Sequence, residues 1–461
     1  MTIVVLLILA GITISLVFSE NGIIAKAREA AEKTNQAVIN EQAQMNELVD
    51  YMGNMLNGIS GGSTPEEPTL PSDGTYSETK GVNTPNLGEG MTPIKWDSNT
   101  NDWVETTGND PEWYDYSAKE WANARTADGS MWVWIPRYAY SITSGYHSST
   151  AGTIKVEFLK GTSNEIGDSE AATNITITNA SGAGNWNIHP AFNYGQTVSG
   201  LWVAKFEASQ SNASSGSMGS SGVIKVQPGV QSWRSINVND IYNKCKSYNS
   251  TLNSHMMKND EWGAVAYLSK SEYGKETEEV WINNSSSYIT GSAGNSASAS
   301  SNTGTTNDYT STQGVKASTT GTVYGVYDMS GGAWEYVAGY VNNGHSNLTT
   351  YGSSLVNSTD AKTKNVYTKA STDNNTNNYN ANAGVYGDAV YETSSGTYNG
   401  SGTSNNQSWY GDYSDFPYSS LPFFIRGGAC DNGSTAGVFC FYGNDGIAYS
   451  YNSFRPVLVA L

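Results

Sequence analysis

The chain has 461 residues, enough for two or three domains or one large domain with additions. Its net charge of −18 and charged content of only 14% exclude a nucleic-acid-binding face, which needs clustered Lys and Arg. The polarity is carried instead by Asn, Ser, Thr, Gly and 30 Tyr, a texture of surface-exposed proteins rather than cytosolic enzymes. Three cysteines, Cys245, Cys430 and Cys440, give no disulfide framework, although Cys430 and Cys440 could pair in an exported chain. The four histidines (147, 189, 255 and 345) lack the spacing of a transition-metal site.

The first predicted element is a helix over residues 3–18, IVVLLILAGITISLVF. Ile3, Val4, Leu6, Leu7, Ile8, Leu9, Ile12, Ile14, Leu16, Val17 and Phe18 are its candidate membrane or filament packing positions. The run of sixteen is shorter than the ~20 residues of a spanning helix. No Lys or Arg precedes it and no small-x-small site follows promptly, which argues against a cleaved signal peptide. After a break at Ser19–Gly22, residues 23 to about 56 place Ile24, Ala27, Ala31, Thr34, Val38, Met45, Leu48, Met52 and Met55 on one helical face. An apolar segment running into a long amphipathic helix resembles the type IV pilin and pseudopilin family. The likeness is carried by Ile3–Phe18 and the stretch 19–30. It implies packing with like subunits in a filament, or a membrane anchor before or instead of assembly. The family's processing site is absent, so cleavage does not follow, and a single-pass signal anchor is the alternative.

Residues 1–57 are therefore assigned to the helix and 58–74, rich in Gly, Ser and Pro, to a linker. The head is assigned to 75–461. Within it Met131–Tyr140 and Leu201–Ala208 read as strands. Val238–Tyr248 and Lys258–Ser269 read as helices, the second capped by Asn259 or Asp260 with Trp262, Ala266 and Leu268 turned inward. The Ser- and Asn-rich tracts 283–320 and 342–409 read as long surface insertions with at most short hairpins.

Four segments occur in order: Leu201–Glu207, Met256–Tyr267, Tyr324–Val337 and Phe424–Ala429 through Ser453–Pro456. Together they resemble the formylglycine-generating-enzyme (sulfatase-modifying-factor) superfamily, whose fold is C-type-lectin-like. The residues themselves read as scaffold. The Gly-Gly pairs at 331–332 and 427–428 suit tight turns, Trp334 suits a core anchor, and Arg426 and Arg455 suit internal hydrogen-bond forks. Asp328 and Glu335 could serve as general acids, but suit holding loop N–H groups better. The family's oxidases use a cysteine pair with four residues between; here nine separate Cys430 from Cys440, which argues against that chemistry.

The same C-terminal stretch also resembles the variable region of target proteins of diversity-generating retroelements, in which randomised Asn-type codons cannot yield Lys, Glu, Gln, Met or Trp. Residues 427–453 contain none of these five. The resemblance implies ligand-facing positions at Ala429, Cys430, Asp431, Thr435, Cys440, Tyr442, Gly443, Asn444, Asp445, Ile447, Tyr449 and Tyr451. Arg426, Gly427, Gly428, Phe454, Arg455 and Trp334 form the supporting frame. From Cys440 onward the candidates alternate in period two, as on a strand with one face to ligand. The alternative for Tyr442, Tyr449 and Tyr451 is plain core packing.

The expected architecture is α+β: a long N-terminal α-helix, apolar then amphipathic, followed by a C-type-lectin-like head with a small twisted sheet, two helices and long loops. The expected function is a surface-displayed ligand-binding protein whose partners are like subunits, the membrane, and a protein or other surface ligand, with no nucleic acid. No cofactor or metal is required; calcium would suit such loops, but no EF-hand-like spacing supports it. An exported enzyme of the formylglycine-generating type and a purely structural filament subunit are the alternatives.

Overall fold

The structure is a computed structural model that describes residues 73–461, except 214–217, 302–305 and 399–405. The expected N-terminal helix, its packing positions 3–18 and most of the linker lie outside the described residues.

The chain begins with a short ladder, β1 (Tyr76–Ser77) with β2 (Val82–Asn83). β3 (Met91–Asp97), β4 (Asp102–Glu105), β5 (Asn123–Thr126) and β6 (Met131–Pro136) follow as antiparallel neighbours. β7 (Tyr138–Ser144), β8 (Thr153–Phe158) and β9 (Asn187–Ile188) make a separate three-stranded sheet, with helix α1 (Ser169–Asn174) between the last two. β10 (Gly200–Ala204) then returns to pair with β6, and β11 (Ser209–Gln210) pairs with β12 (Ile224–Lys225). Helix α2 (Val238–Tyr248), β13 (His255–Met256) and helix α3 (Asn259–Ser269) lead to β14 (Trp334–Val341). Helix α4 (Ser346–Val356), β15 (Asn365–Tyr367) and helix α5 (Asn375–Ala381) come next. The chain ends with β16 (Phe423–Gly427), β17 (Gly437–Asn444), β18 (Asn452–Phe454) and β19 (Pro456–Leu458).

Two sheets dominate. One has seven strands in the order β13-β19-β10-β6-β5-β3-β4; the other has five, β15-β14-β16-β17 with β18 beside β14. This corrects the expected single small sheet with two helices. Strand takes up 27% of the structure and helix 17%, with five α-helices among the described residues. The Trp-bearing strands of the first half supply the surplus: Trp103 on β4, Trp132 and Trp134 on β6, and Trp202 on β10 are all buried. A Trp side chain buries a large apolar area, so closely spaced tryptophans favour a broad sheet with a thick core.

Met131–Tyr140 is not one strand but two, β6 and β7, in different sheets. Pro136 has no N–H to continue the ladder, and the chain turns there. Helix α2 has the expected bounds, with the Asn237 carboxamide accepting from Asp240 N at 2.9 Å. Helix α3 is capped at Lys258, not Asn259 or Asp260. Both candidate caps are engaged elsewhere: Asn259 Oδ1 accepts from Arg426 and its Nδ2 donates to Tyr367, while Asp260 pairs with Lys258. Glu261 instead accepts the Lys258 N–H at 2.8 Å. Every residue of α3, including Trp262, Ala266 and Leu268, is buried.

The tract 342–409 holds α4, β15 and α5 rather than hairpins. Its asparagines are structural. Asn374 caps α5, and buried Asn378 accepts from Ala370 N and donates to the Asp373 carboxylate and the Pro417 carbonyl. No helix among the described residues is long and apolar enough to cross a membrane.

Buried Glu392 makes stability depend on pH. One of its oxygens accepts from Tyr140 OH (2.8 Å), Tyr267 OH (3.0 Å) and Gly387 N (2.6 Å). Burial outweighs these donors and pushes the carboxyl from 4.5 up to about 7. The folded state therefore holds a proton that the unfolded state has released. That contribution is complete below about pH 4.5 and is lost as pH rises through about 7. The urea midpoint should be higher at pH 5 than at pH 8. E392Q should flatten the difference by about 1–3 kcal/mol. A midpoint difference that E392Q leaves unchanged would count against Glu392 as the source.

Candidate binding surface

The C-terminal frame is built on two buried arginines. Arg426, on β16, donates from Nε to Cys440 O (2.8 Å), from one terminal nitrogen to Asn259 Oδ1 (2.6 Å) and Asp388 O (2.9 Å), and from the other to Ala389 O (3.0 Å). It joins β16 to β17, α3 and the 388–389 loop. Arg455 grips Glu335 through two bonds of 3.1 and 2.6 Å and donates to the carbonyls of Ala204 (2.7 Å) and Tyr327 (2.9 Å). Asp328 accepts the N–H groups of Glu207 and Gly291. Glu335 does not hold a loop as expected; it is the counter-ion of Arg455. Burial raises Glu335, opposed by Arg455, and raises Glu207, whose neighbours Asp328 and Glu335 push it the same way.

The two Gly-Gly turns meet, with Gly331 N–H on Gly427 O (3.1 Å) and Cys430 N–H on Gly332 O (2.8 Å). Gly428 has φ +81°, and a Cβ there would stand 2.7 Å from Ala436 Cα. Gly428→Ala therefore adds left-handed strain to a backbone clash. The variant should lose about 2 kcal/mol or more in urea unfolding; a loss under about 0.5 kcal/mol would mean that the turn relaxes freely.

The twelve predicted ligand-facing positions divide. Ala429, Cys430, Cys440, Gly443 and Asn444 are buried and do not face a ligand. Cys440, on β17, is buried near Asp412 and Arg426, and burial pushes its thiol well up. Cys430 is pushed up to about 11, and neither cysteine is bridged. Gly443 packs on Pro417 and Leu421, where a Cβ would come within 3.0 Å. Asn444 Oδ1 accepts from Tyr336 OH (2.5 Å) and Gly446 N (3.3 Å), which makes it part of the frame. The period-two expectation fails for β17 because side chains of both its faces are buried, while residues 413–415 pair with its outer edge, bridging Ser414 to Phe441. Along β17 only Tyr442 is partly exposed.

The remaining positions reach solvent: Asp431 and Tyr451 are exposed, and Thr435, Tyr442, Asp445, Ile447 and Tyr449 are half-buried. Tyr449 stacks on Tyr451 with ring centres 5.0 Å apart and donates to Asp445 at 3.0 Å. Tyr442 sits between Trp334 (5.8 Å) and Tyr413 (5.3 Å). Trp334 is half-buried at the head of β14, with its backbone N–H on Tyr451 O (2.9 Å); it packs against the core, as expected of an anchor, and also borders this surface. Beneath the stack, Arg234 donates to Ser450 O and lies 4.1 Å from the Tyr288 ring centre.

Two aromatic groups, Tyr442 with Trp334 and Tyr413 and the Tyr449–Tyr451 stack, are joined through the Trp334–Tyr451 backbone bond, with hydroxyl and carboxylate groups beside them. Tyr398, Tyr413, Tyr418 and Tyr288 were not anticipated from the sequence, although residues 397–418 share the Tyr/Ser/Gly/Asn texture of the C-terminal stretch. Among the described residues no group of three or more His, Cys, Asp or Glu could hold a metal ion. The sequence matches no known protein family, and no curated protein matches it either.

Proposed function

We propose that this chain is a surface-displayed ligand-binding protein. The apolar N-terminal run anchors it in a membrane or a filament, and the surface around Tyr442, Tyr449, Tyr451 and Trp334 receives the ligand. The observation that carries this reading is the separation of the C-terminal stretch into two layers. Arg426, Arg455, Asn444 and the Gly-Gly turns are buried and fully engaged, whereas the tyrosines above them are partly exposed and rest on one another. A fixed frame under exchangeable aromatic side chains is what a diversified binding patch requires. Tyrosine gives large contact area at low entropy cost, and Ser, Gly and Asn add adaptable hydrogen bonds. The likeness to retroelement-diversified proteins and to the formylglycine-generating superfamily belongs to this proposal. Oxidase chemistry fits poorly, because burial raises both thiols of Cys430 and Cys440 and so disfavours the reactive thiolate.

The test replaces Asp431, Thr435, Tyr442, Asp445, Ile447, Tyr449 and Tyr451 together and scores the full chain on an array of purified surface proteins. The bound subset should change while the head keeps its circular dichroism. An unchanged subset would sink the proposal. A near-copy of the codons for 427–456 beside a reverse-transcriptase gene, differing only at adenines, is the expected genomic counterpart.

A further inference from the structure

Residues outside the C-terminal stretch stand beside the exposed tyrosines. Among the described residues five large hydrophobic side chains are exposed: Met218, Val223, Val366, Tyr451 and Leu461. Exposed singly, such side chains need no explanation. Met218 and Tyr451 are not single, because one ribbon, residues 231–235, holds their segments side by side.

The Arg234 carbonyl accepts from Gly219 N–H (3.1 Å), and the next N–H along the chain, that of Ser235, donates to the Tyr449 carbonyl (2.9 Å). These two groups belong to one trans peptide and point opposite ways. Segment 218–219 therefore lies on one edge of the ribbon and segment 449–451 on the other. Paired segments lie ~4.8 Å apart, so the two flanking backbones are about 10 Å apart. At its other end the ribbon meets 288–289, through Ser232 N–H on Tyr288 O (2.9 Å) and the bridge from Gln231 to Ile289. The Arg234 guanidinium fastens the group. It lies 4.1 Å from the Tyr288 ring centre and donates to Ser450 O. Burial and the nearby Cys430 and Asp431 raise the half-buried Tyr288 hydroxyl, so this ring borders the start of the stretch as Met218 borders its end.

The charges of this face are one-sided. Asp431 and Asp445 are the ionised side chains of residues 427–453, which hold no Lys, Arg or His. The cation at hand, Arg234, is buried and turned inward onto Tyr288 and Ser450. Cations for the two carboxylates and for the tyrosine ring faces have to come from the partner.

We infer that Met218 and Tyr288 form a constant half of the ligand surface, and that this surface docks on a folded protein whose contact patch is apolar with Lys or Arg at its edge. The inference rests on reading 427–453 as the variable half. Met and Tyr are enriched at the cores of protein interfaces. A standard interface covers ~800 Å² on each partner, so one partner spans both edges of the ribbon. Residues 218 and 288 lie outside the diversified stretch and stay in place whatever it becomes. They supply contact area to every ligand, and the variable positions decide which ligand is held.

The test places M218A and Y288A singly in the wild-type full chain and in the chain carrying all seven replacements in 431–451. Each is titrated against the purified surface proteins that its parent retains on the array. Both substitutions should weaken every retained protein about fivefold or more in both backgrounds, without changing which proteins are retained. V366A, at an exposed hydrophobic on edge strand β15, should change nothing. Binding should weaken as salt rises from about 50 to about 300 mM. Tyr288 also packs on Arg234, so M218A, with its exposed side chain and unchanged circular dichroism, is the deciding variant. Full affinity of M218A in both backgrounds, when the two parents retain different proteins, overturns the constant half and leaves the variable reading standing. A loss confined to one background, or an equal loss in V366A, overturns it too. Parents that retain the same proteins, or none, sink the variable reading and with it the division into halves. Affinity indifferent to salt overturns the basic-edged partner.

Discussion

Arg455→Ala is expected to destabilise the head by about 3–5 kcal/mol, the range for breaking a buried ion pair from one side. Native domains hold about 5–15 kcal/mol in total, so this loss leaves the head near its threshold. The reason lies in where Arg455 sits. β18 belongs to the five-stranded sheet and β19 to the seven-stranded sheet, and Arg455 is the single residue between them. Its fork ties Glu335 of β14 to the Ala204 carbonyl of β10, one from each sheet. Removing it leaves Glu335, Asp328 and Glu207 buried together without their cation, and orphans two carbonyls. Arg455→Lys should recover only part of the loss, because an ammonium cannot hold a bidentate carboxylate and two carbonyls in one plane. E335Q should cost less than R455A, since it leaves the fork's carbonyl bonds intact and keeps Asp328 near the buried guanidinium. Urea unfolding at pH 7, followed by tryptophan fluorescence, gives all three values. An R455A loss below about 1 kcal/mol would show that the two sheets hold together without the crossing arginine.

What the sequence made legible was chemistry with a single good solution. Arg426, beside a Gly-Gly turn in an apolar strand, and Arg455, between Phe454 and Pro456, read as internal forks, and both make that set of buried bonds. The apolar spacing of Val238, Ile241, Tyr242 and Cys245 defines one helical face, and α2 buries those four. What stayed hidden depends on partners distant in the chain. Asn259 looks like an N-cap until Arg426, 167 residues away, claims its carbonyl oxygen. The asparagines of 374–382 look like solvated loop because composition cannot distinguish an exposed amide from one that staples a backbone. The alternation after Cys440 reads as an open strand face because nothing in those residues announces that both faces of β17 are covered, Tyr442 in part by the Tyr413 ring. Trp334 is legible only in part: it packs against the core, as a tryptophan suggests, but it also borders solvent, where its ring supports Tyr442.

The tyrosines carry the second large effect, on binding rather than folding. Tyr451 is 39% exposed, and its main ring contact is the Tyr449 stack. Truncating either removes little that the frame uses, so Y449A and Y451A should each change the urea midpoint by no more than about 0.5 kcal/mol. Their effect on affinity should be far larger. Aromatic anchors at the centre of an interface lose about 2 kcal/mol or more on truncation, equivalent to roughly thirtyfold. The double variant should lose all the surface proteins that the wild-type chain retains on the array. Y442A should act on both properties, because Tyr442 fills the gap between Trp334 and Tyr413 as well as reaching solvent. D445N adds a geometric control. It weakens the bond that orients Tyr449 without removing a ring, so a smaller affinity loss than in Y449A is expected. If Y449A and Y451A bind as well as the wild type while Y442A loses both stability and binding, the tyrosines are packing elements and the ligand surface lies elsewhere on the head. If affinity falls in the order Y449A with Y451A, then Y442A, then D445N, at nearly constant stability in the first pair, recognition resides in the exposed layer and the buried arginines only hold it in place.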